Sequence, residues 1–210
     1  MIDVWLEERD FRWYGVALHE HALVATAAAP SRQEALRAIT GALPGNAARQ
    51  FLEEPSDRAR ETVHMLAELE QGNEKNKHFE LSADHVPEPL RSVLQVAASI
   101  PLGYVSTYGS IAAAARTDAR TVGQIMAANP LYPVVPCHRV VGSGLSLVGY
   151  GGSRKMPALL NKLARLRKET RGFAEETSVL AGMLKVTPVE WAILQAVKDG
   201  VTPARQLDLW

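Results

Sequence analysis

Cysteine occurs once in these 210 residues, at position 137, and a histidine follows it directly. The thiolate is the nucleophilic form of cysteine, and a free thiol with a pKa of ~8.5 is mostly protonated at neutral pH. His138 and Arg139 are the neighbouring groups that could favour the thiolate, and a helix N-terminus is a third source of help. The surrounding stretch, NPLYPVVPCHRVV at 129–141, holds three prolines and four valines and reads as an extended, largely apolar segment. Adjacent side chains on an extended strand point to opposite faces. A direct thiol–imidazole contact would therefore need a turn, or a water molecule between the two. A lone cysteine is also often a small packed hydrophobe, and the dipeptide by itself favours that inert reading.

Two short helices stand ahead of this segment. Thr107 can cap one over 108–115, and Thr117 or Asp118 can cap another over 119–128, ended by Asn129-Pro130. Helices joined by three or four residues read as a helix-turn-helix. In the second, Val122, Ile125 and Met126 sit at i, i+3, i+4 and form an inward stripe. Ala119, Arg120, Gly123, Gln124 and Ala127 are left outside, a slim face with one cation that a DNA groove could approach. A further helix over 90–99 precedes the pair.

Upstream, the first 29 residues read as short strands, among them 11–18 and 22–28 around the turn His19-Glu20-His21. Ser31, with Glu34 three residues on, opens a helix as a capping box. Residues 46–53 read as helical, 56–70 as a helix with Val63, Leu66 and Leu69 on its apolar side, 71–77 as a loop and 78–81 as a short strand. The expected fold is an α/β N-terminal domain (1–86) followed by a mostly α C-terminal domain containing a helix-turn-helix (87–172). A helical extension (173–210) completes the chain. There, Thr187-Pro188-Val189-Glu190 reads as a capping box for a helix over 188–199, with Trp191, Ile193, Leu194 and Val197 on its apolar side.

The formal charge is zero, yet it is unevenly spread. Residues 1–90 carry nine Lys or Arg against sixteen Asp or Glu, and residues 91–172 carry eleven against two. A basic middle segment suits phosphate neutralisation, although pairing of charges between domains is an alternative. The only acids in 91–172 are Asp118 and Glu169. One cysteine excludes an internal disulfide, and the scattered His19, His21, His64, His78 and His85 offer no ligand cluster, so neither metal nor cofactor is expected. An acidic N-terminus without a signal-peptide pattern, and no run near the ~20 apolar residues that span a bilayer, lead us to expect a cytoplasmic protein, nucleoid-associated in a prokaryote, with no membrane partner.

The strings IPLGYVSTYGSIA (100–112), ARTVGQIMAANP (119–130), PCHRVV (136–141) and GYGG (149–152) together resemble the O6-alkylguanine-DNA alkyltransferases. The resemblance covers about 90–155, including the spacing from Arg120 through Asn129 to Cys137. It implies DNA repair by irreversible transfer of an alkyl group from O6-alkylguanine to Cys137, by a monomer acting on double-stranded DNA. It further implies that His138 deprotonates Cys137 through a water, that Asn129 holds the turn aiming the cysteine, and that Arg139 supports it. Arg120 would fill the gap left by a flipped nucleotide, while Ala119, Thr121, Gly123 and Gln124 would lie against the minor groove. Tyr108, Val140, Tyr150, Gly151 and Ser153 would form the base pocket, with Tyr108 as a hydrogen-bond donor to the leaving base.

The chain continues for 38 residues after Gly172, where a typical member would end much sooner, and three further features depart from the family pattern. The Leu-Leu-x-x-Glu whose acid orients the histidine reads here Leu159-Leu160-Asn161-Lys162-Leu163, with the next acid at Glu169, nearly two helical turns later. The expectation is a loosely held His138 and slow transfer. Pro89-Leu90 replaces a Phe-Gln, and the glycine run after Tyr150 is one residue short, which bears on Gly151 and Ser153. An alternative function is a non-catalytic sensor that binds alkylated DNA and recruits other repair factors. A Cys-His hydrolase would need direct contact between the two side chains, which their adjacency disfavours.

Overall fold

The computed structural model describes residues 1–73, 78–82, 84–170 and 176–202. They divide into two compact units, one of Met1–Arg91 with Asn129–Val135, the other of Ser92–Ala128 with the chain from Pro136 onward. The division falls in the first turn of a helix, and the loop before Cys137 returns to the first unit. The expected segmentation at 86/87 and 172/173 did not include that return.

In the first unit, β1 (Ile2–Arg9), β2 (Arg12–His19) and β3 (Ala22–Ala29) form an antiparallel meander, and β4 (Arg49–Phe51) adds to β1 in parallel, giving the order β3-β2-β1-β4. Residues 46–53 are thus not helical. The free edge of β1 supplies hydrogen-bonding partners that local propensity cannot foresee. Helix α1 (Arg32–Ala42) begins where expected, with the Ser31 hydroxyl accepting from the Glu34 N–H at 3.3 Å. Ile39 of α1 packs with Ile2, Val4, Ala17 and Val24 of the sheet. Gly15 permits this approach, since a Cβ there would stand 3.3 Å from Cβ of Ile39. Helix α2 (Asp57–Glu70), capped by Ser56, buries Val63 and Leu66 completely and Leu69 only partly. The expected strand at 78–81 reduces to one bridge between Leu81 and Leu23.

The second unit holds α3 (Leu90–Ala98), which starts at the boundary, then β5 (Tyr104–Thr107), α4 (Tyr108–Ala114), α5 (Ala119–Ala127), β6 (Val140–Val141), α6 (Met156–Arg167), β7 (Thr177–Val179), β8 (Leu184–Pro188) and α7 (Val189–Lys198). The "mostly α" expectation missed a four-stranded sheet in the order β6-β5-β8-β7, half of it supplied by the extension. β8 pairs antiparallel with β5, and the Ser106 hydroxyl donates to the Lys185 carbonyl at 2.6 Å. Because β8 runs through Pro188, Thr187 is a strand residue bonded to Glu176 and does not cap α7. The buried face of α7 is Val189, Ala192, Ile193 and Ala196, and not the stripe through Trp191, which is 47% exposed. That face packs on Val105, Val141, Leu147, Leu163 and Leu166. Full burial of a Val or Ile contributes ~1.5–3 kcal/mol, so the extension is part of this unit's core. No helix among the described residues is long and apolar enough to cross a membrane.

Candidate active site

Pro136 leads into one turn of 3-10 helix, Cys137–Arg139, closed by hydrogen bonds from the Arg139 N–H to the Pro136 carbonyl at 2.8 Å and from the Val140 N–H to the Cys137 carbonyl. The segment is therefore not extended throughout. A turn with about three residues per revolution spreads consecutive side chains around its axis, which removes the opposition that a strand would impose on Cys137 and His138. Cys137 is partly exposed, while His138 and Arg139 are buried. β6 follows at once and is fixed in parallel to Ser106 and Thr107 of β5.

An acid does stand on the histidine. Glu169 Oε1 lies 2.7 Å from His138 Nε2, and the Arg139 guanidinium donates to the same carboxylate from Nε (2.8 Å) and Nη2 (3.0 Å). Helical spacing had put Glu169 out of reach of the position the family pattern gives its acid. Helix α6 ends at Arg167, however, and Glu169 stands in the tight turn beyond it, its N–H donating to the Leu166 carbonyl at 3.0 Å. The expectation of a loosely held histidine is overturned.

The charges in this cluster follow from its burial. Desolvation alone would raise Glu169, but hydrogen bonds and charge from His138 and Arg139 outweigh it and hold the carboxyl at about 2. Burial pulls His138 below its ordinary value against the opposing pull of Glu169. A carboxylate only accepts hydrogen bonds, so His138 Nε2 carries the proton and Nδ1 is the basic atom. Nδ1 is buried and has no hydrogen-bond partner among the described residues.

Cys137 opens into a cleft of about 740 Å³. One wall comes from Tyr108 of α4 and from Ala119, Arg120, Gly123 and Gln124 of α5. Both helices start on side-chain caps. Thr107 Oγ1 accepts from the Ser110 N–H at 3.1 Å, and Asp118 Oδ1 accepts from the N–H groups of Arg120 (2.9 Å) and Thr121 (3.0 Å). With Val122 and Met126 buried, the small residues and Arg120 remain outside. Burial pushes the Tyr108 phenol above its ordinary range, with Cys137 adding to the effect and Arg154 opposing it, so the hydroxyl stays a donor.

The cleft lining also includes Tyr150, Gly151 and Ser153. Tyr150 and Ser153 exchange main-chain hydrogen bonds (2.8 and 3.0 Å) around Gly151 and Gly152, which both have positive φ (55° and 74°). Two central residues of positive φ make a primed turn that glycine accommodates without strain, so the shorter glycine run still closes.

Two expected residues stand elsewhere. Val140 is wholly buried and is not among the residues lining the cleft. Thr121 is also outside the lining, its hydroxyl donating to Asp118 Oδ2 at 2.6 Å. Asn129 belongs to the first unit, where it bonds the Val135 carbonyl (2.9 Å) and the Leu131 N–H (3.0 Å) and so closes the turn that ends two residues before Cys137. Sequence reasoning missed Arg154 and Val148 in the cleft wall. It also missed Lys162, which is fully buried with its ammonium on three main-chain carbonyls. The signal for Lys162 was available, since it shares the helical stripe of Leu159, Leu163 and Leu166.

Residues 89–171 match the family model described as the 6-O-methylguanine DNA methyltransferase DNA-binding domain. The methylated-DNA–protein-cysteine methyltransferase of Pyrobaculum aerophilum is 55% identical over 53 residues, 25% of this chain and 36% of that protein. The inducible one of Bacillus subtilis is 35% identical over 94 residues, 43% of this chain and 52% of that protein. The chain thus matches about a third to a half of the length of these curated relatives. The crystal structure of the O6-methylguanine-DNA methyltransferase from Pyrococcus kodakaraensis is similar with a TM-score of 0.52 and 25% identity, over 80% of this chain and 99% of that one. Mycobacterium tuberculosis OGT in complex with DNA shares the fold, with a TM-score of 0.56 and 23% identity, over 80% and 92% of the two chains. The resemblance read from residues 100–152 is thereby shown for the stretch 89–171, and with it the mixed α/β fold.

Proposed function

We propose that this chain repairs DNA by taking the alkyl group of O6-alkylguanine permanently onto Cys137. The observation that carries the reading is the single cysteine, opening into a cleft, in the same turn as a histidine held by a buried carboxylate. In the forward step the Cys137 proton passes through a water to His138 Nδ1, and the imidazolium is stabilised by Glu169. The thiolate attacks the alkyl carbon, forming the S–C bond as the C–O6 bond breaks. The electron pair leaves with guanine, whose developing charge is met by a hydrogen bond from the Tyr108 hydroxyl. The product is a thioether that no group in the cleft can hydrolyse, so one molecule repairs one lesion.

The α4–α5 pair, read as a helix-turn-helix, would bring Ala119, Gly123 and Gln124 against the minor groove, with Thr121 beside them. Arg120 would fill the space of the extruded nucleotide, a step that costs about a few kcal/mol of stacking and pairing. Tyr150, Gly151 and Ser153 would contact the flipped base, and Val140 is withdrawn from that pocket. This chemistry requires one cysteine and one cleft, so the protein would act as a monomer on cytoplasmic or nucleoid DNA. A non-catalytic sensor is not favoured, because the acid whose absence would have argued for it is in contact with His138.

The test is an intact-mass measurement after incubation with a duplex carrying O6-methylguanine. A stable gain of one methyl group in exchange for hydrogen, abolished in Cys137→Ala, is expected. No adduct with excess lesion over long times would sink the reading, and lesion-dependent binding without an adduct would favour the sensor.

A further inference from the structure

We propose that Lys162 is a positioning residue for the nucleophile: its buried ammonium ties the strand leaving the Cys137 turn to the loop that walls the cleft, and its charge favours the Cys137 thiolate. The inference rests on reading Cys137 as the nucleophile.

Lys162 lies in the middle of α6 with no exposed surface. Nζ donates to the carbonyls of Val140 (2.5 Å), Gly149 (3.0 Å) and Leu147 (3.2 Å), which uses all three of its protons. None of these acceptors is an anion, and no ion pair to Lys162 is present among the described residues. An ammonium is costly to bury, and an unbranched apolar side chain would continue the stripe of Leu159, Leu163 and Leu166 without that penalty. A cation retained here calls for a reason beyond packing.

The three carbonyls supply it. The Val140 N–H donates to the Cys137 carbonyl, so a single residue links the ammonium to the main chain of the nucleophile. Leu147 and Gly149 flank Val148, and both Val148 and Gly149 line the cleft. One side chain thus ties the main chain of the Cys137 turn to a segment of the cleft wall. Burial draws Lys162 down to about 8, and the charge of Cys137 is the one influence that pulls it back up. Interaction energy is mutual, so a charged Lys162 favours the thiolate equally. The other charged groups packed at this turn, His138, Arg139, Glu169 and Arg165, remain in place when Lys162 is changed.

Because Cys137 is the sole cysteine, its ultraviolet thiolate absorbance can be titrated on the intact protein with Cys137→Ser as the blank, and no DNA is needed. Lys162→Gln keeps donors without charge, and Lys162→Met removes both. In each, the thiol midpoint should rise by about one pH unit, with a matching tenfold fall in alkylation by iodoacetamide at neutral pH. A folded Lys162→Gln protein with an unchanged midpoint would overturn the proposal, since a purely structural clamp would not move it. Should both variants fail to fold, nitrogen NMR of Lys162 Nζ provides the readout in the natural chain. Its midpoint should fall in Cys137→Ser, and an unchanged midpoint would refute the coupling. Shifts of this kind in a protein that takes no alkyl group from DNA would sink the repair reading and leave the Lys162–Cys137 coupling standing.

Discussion

Replacing Glu169 by Gln isolates the cluster on which both stability and chemistry depend. The substitution keeps the shape but removes the charge that His138 and Arg139 contact at 2.7–3.0 Å. Arg139 keeps one bond, from Nη1 to the Ile100 carbonyl at 2.8 Å, but its buried guanidinium loses its anion. Removing one partner of a buried ion pair destabilises by about 3–5 kcal/mol, a large share of the ~5–15 kcal/mol typical of a domain. The pH dependence has a definite sign. Glu169 is held at about 2 in the folded protein against 4.5 ordinarily. Its stabilisation is therefore complete above about pH 4.5 and is lost as the pH falls through about 2. The gap in unfolding free energy between the natural protein and Glu169→Gln should be full at pH 7 and close progressively below pH 4.5. A neutral amide can still accept from His138 Nε2 but stabilises the imidazolium less, so single-turnover transfer should slow on the order of a hundredfold. Urea unfolding at pH 7 and pH 3, with mass-detected transfer kinetics, measures both quantities. Stability within about 1 kcal/mol of the natural protein at pH 7, together with an unchanged transfer rate, would refute the reasoning.

Other outcomes follow from the same geometry. Leu163→Glu, which restores an acid at the family's position, should destabilise by roughly 3 kcal/mol or more, because Leu163 is 2% exposed within an apolar cluster; a neutral effect in urea unfolding would contradict that packing. A chain ending at residue 172 should lose the cooperative melting of the second unit by circular dichroism, since β5 loses β8 and that unit's core loses α7; a 1–172 protein that melts like the longer one would count against the extension's role. Arg120→Ala should slow repair in duplex DNA at least about tenfold, yet barely change reaction with free O6-benzylguanine, which needs no flipping. Equal losses on both would remove the intercalating role. Duplex affinity should fall as salt rises, and a flat salt profile would exclude the basic segment as the phosphate-binding element.

Local signals in the sequence were enough for α4 and α5, because each is opened by its own cap and Asp118 reaches no further than the N–H groups of Arg120 and Thr121. Cys137, Tyr108, Arg120 and the Tyr150–Ser153 turn were named through the family resemblance, whose motifs lie close together in sequence. Glu169 could not. It reaches His138 across thirty-one positions of sequence, and counting helical turns assumed a helix that had already ended. Lys162 was passed over because a lysine reads as a surface residue unless its place in the apolar stripe is noticed. β4 and β8 are created by the open edges of β1 and β5, which short strands of three and five residues cannot announce alone. The apolar side of α7 was misassigned to Trp191 because periodicity gives the period of a stripe but not which overlapping stripe meets the core.

The packing of Leu163 has a consequence for any redesign of the relay. Position 163 is where the family pattern has its relay acid, and here it lies beneath Val189, Ala192 and Ile193 of the C-terminal extension. An acid at 163 would have to be buried against that apolar face of α7. Position 163 and the residues of α7 above it are therefore energetically coupled. Returning a carboxylate to 163 calls for compensating changes in α7, and moving the relay acid cannot be a single substitution.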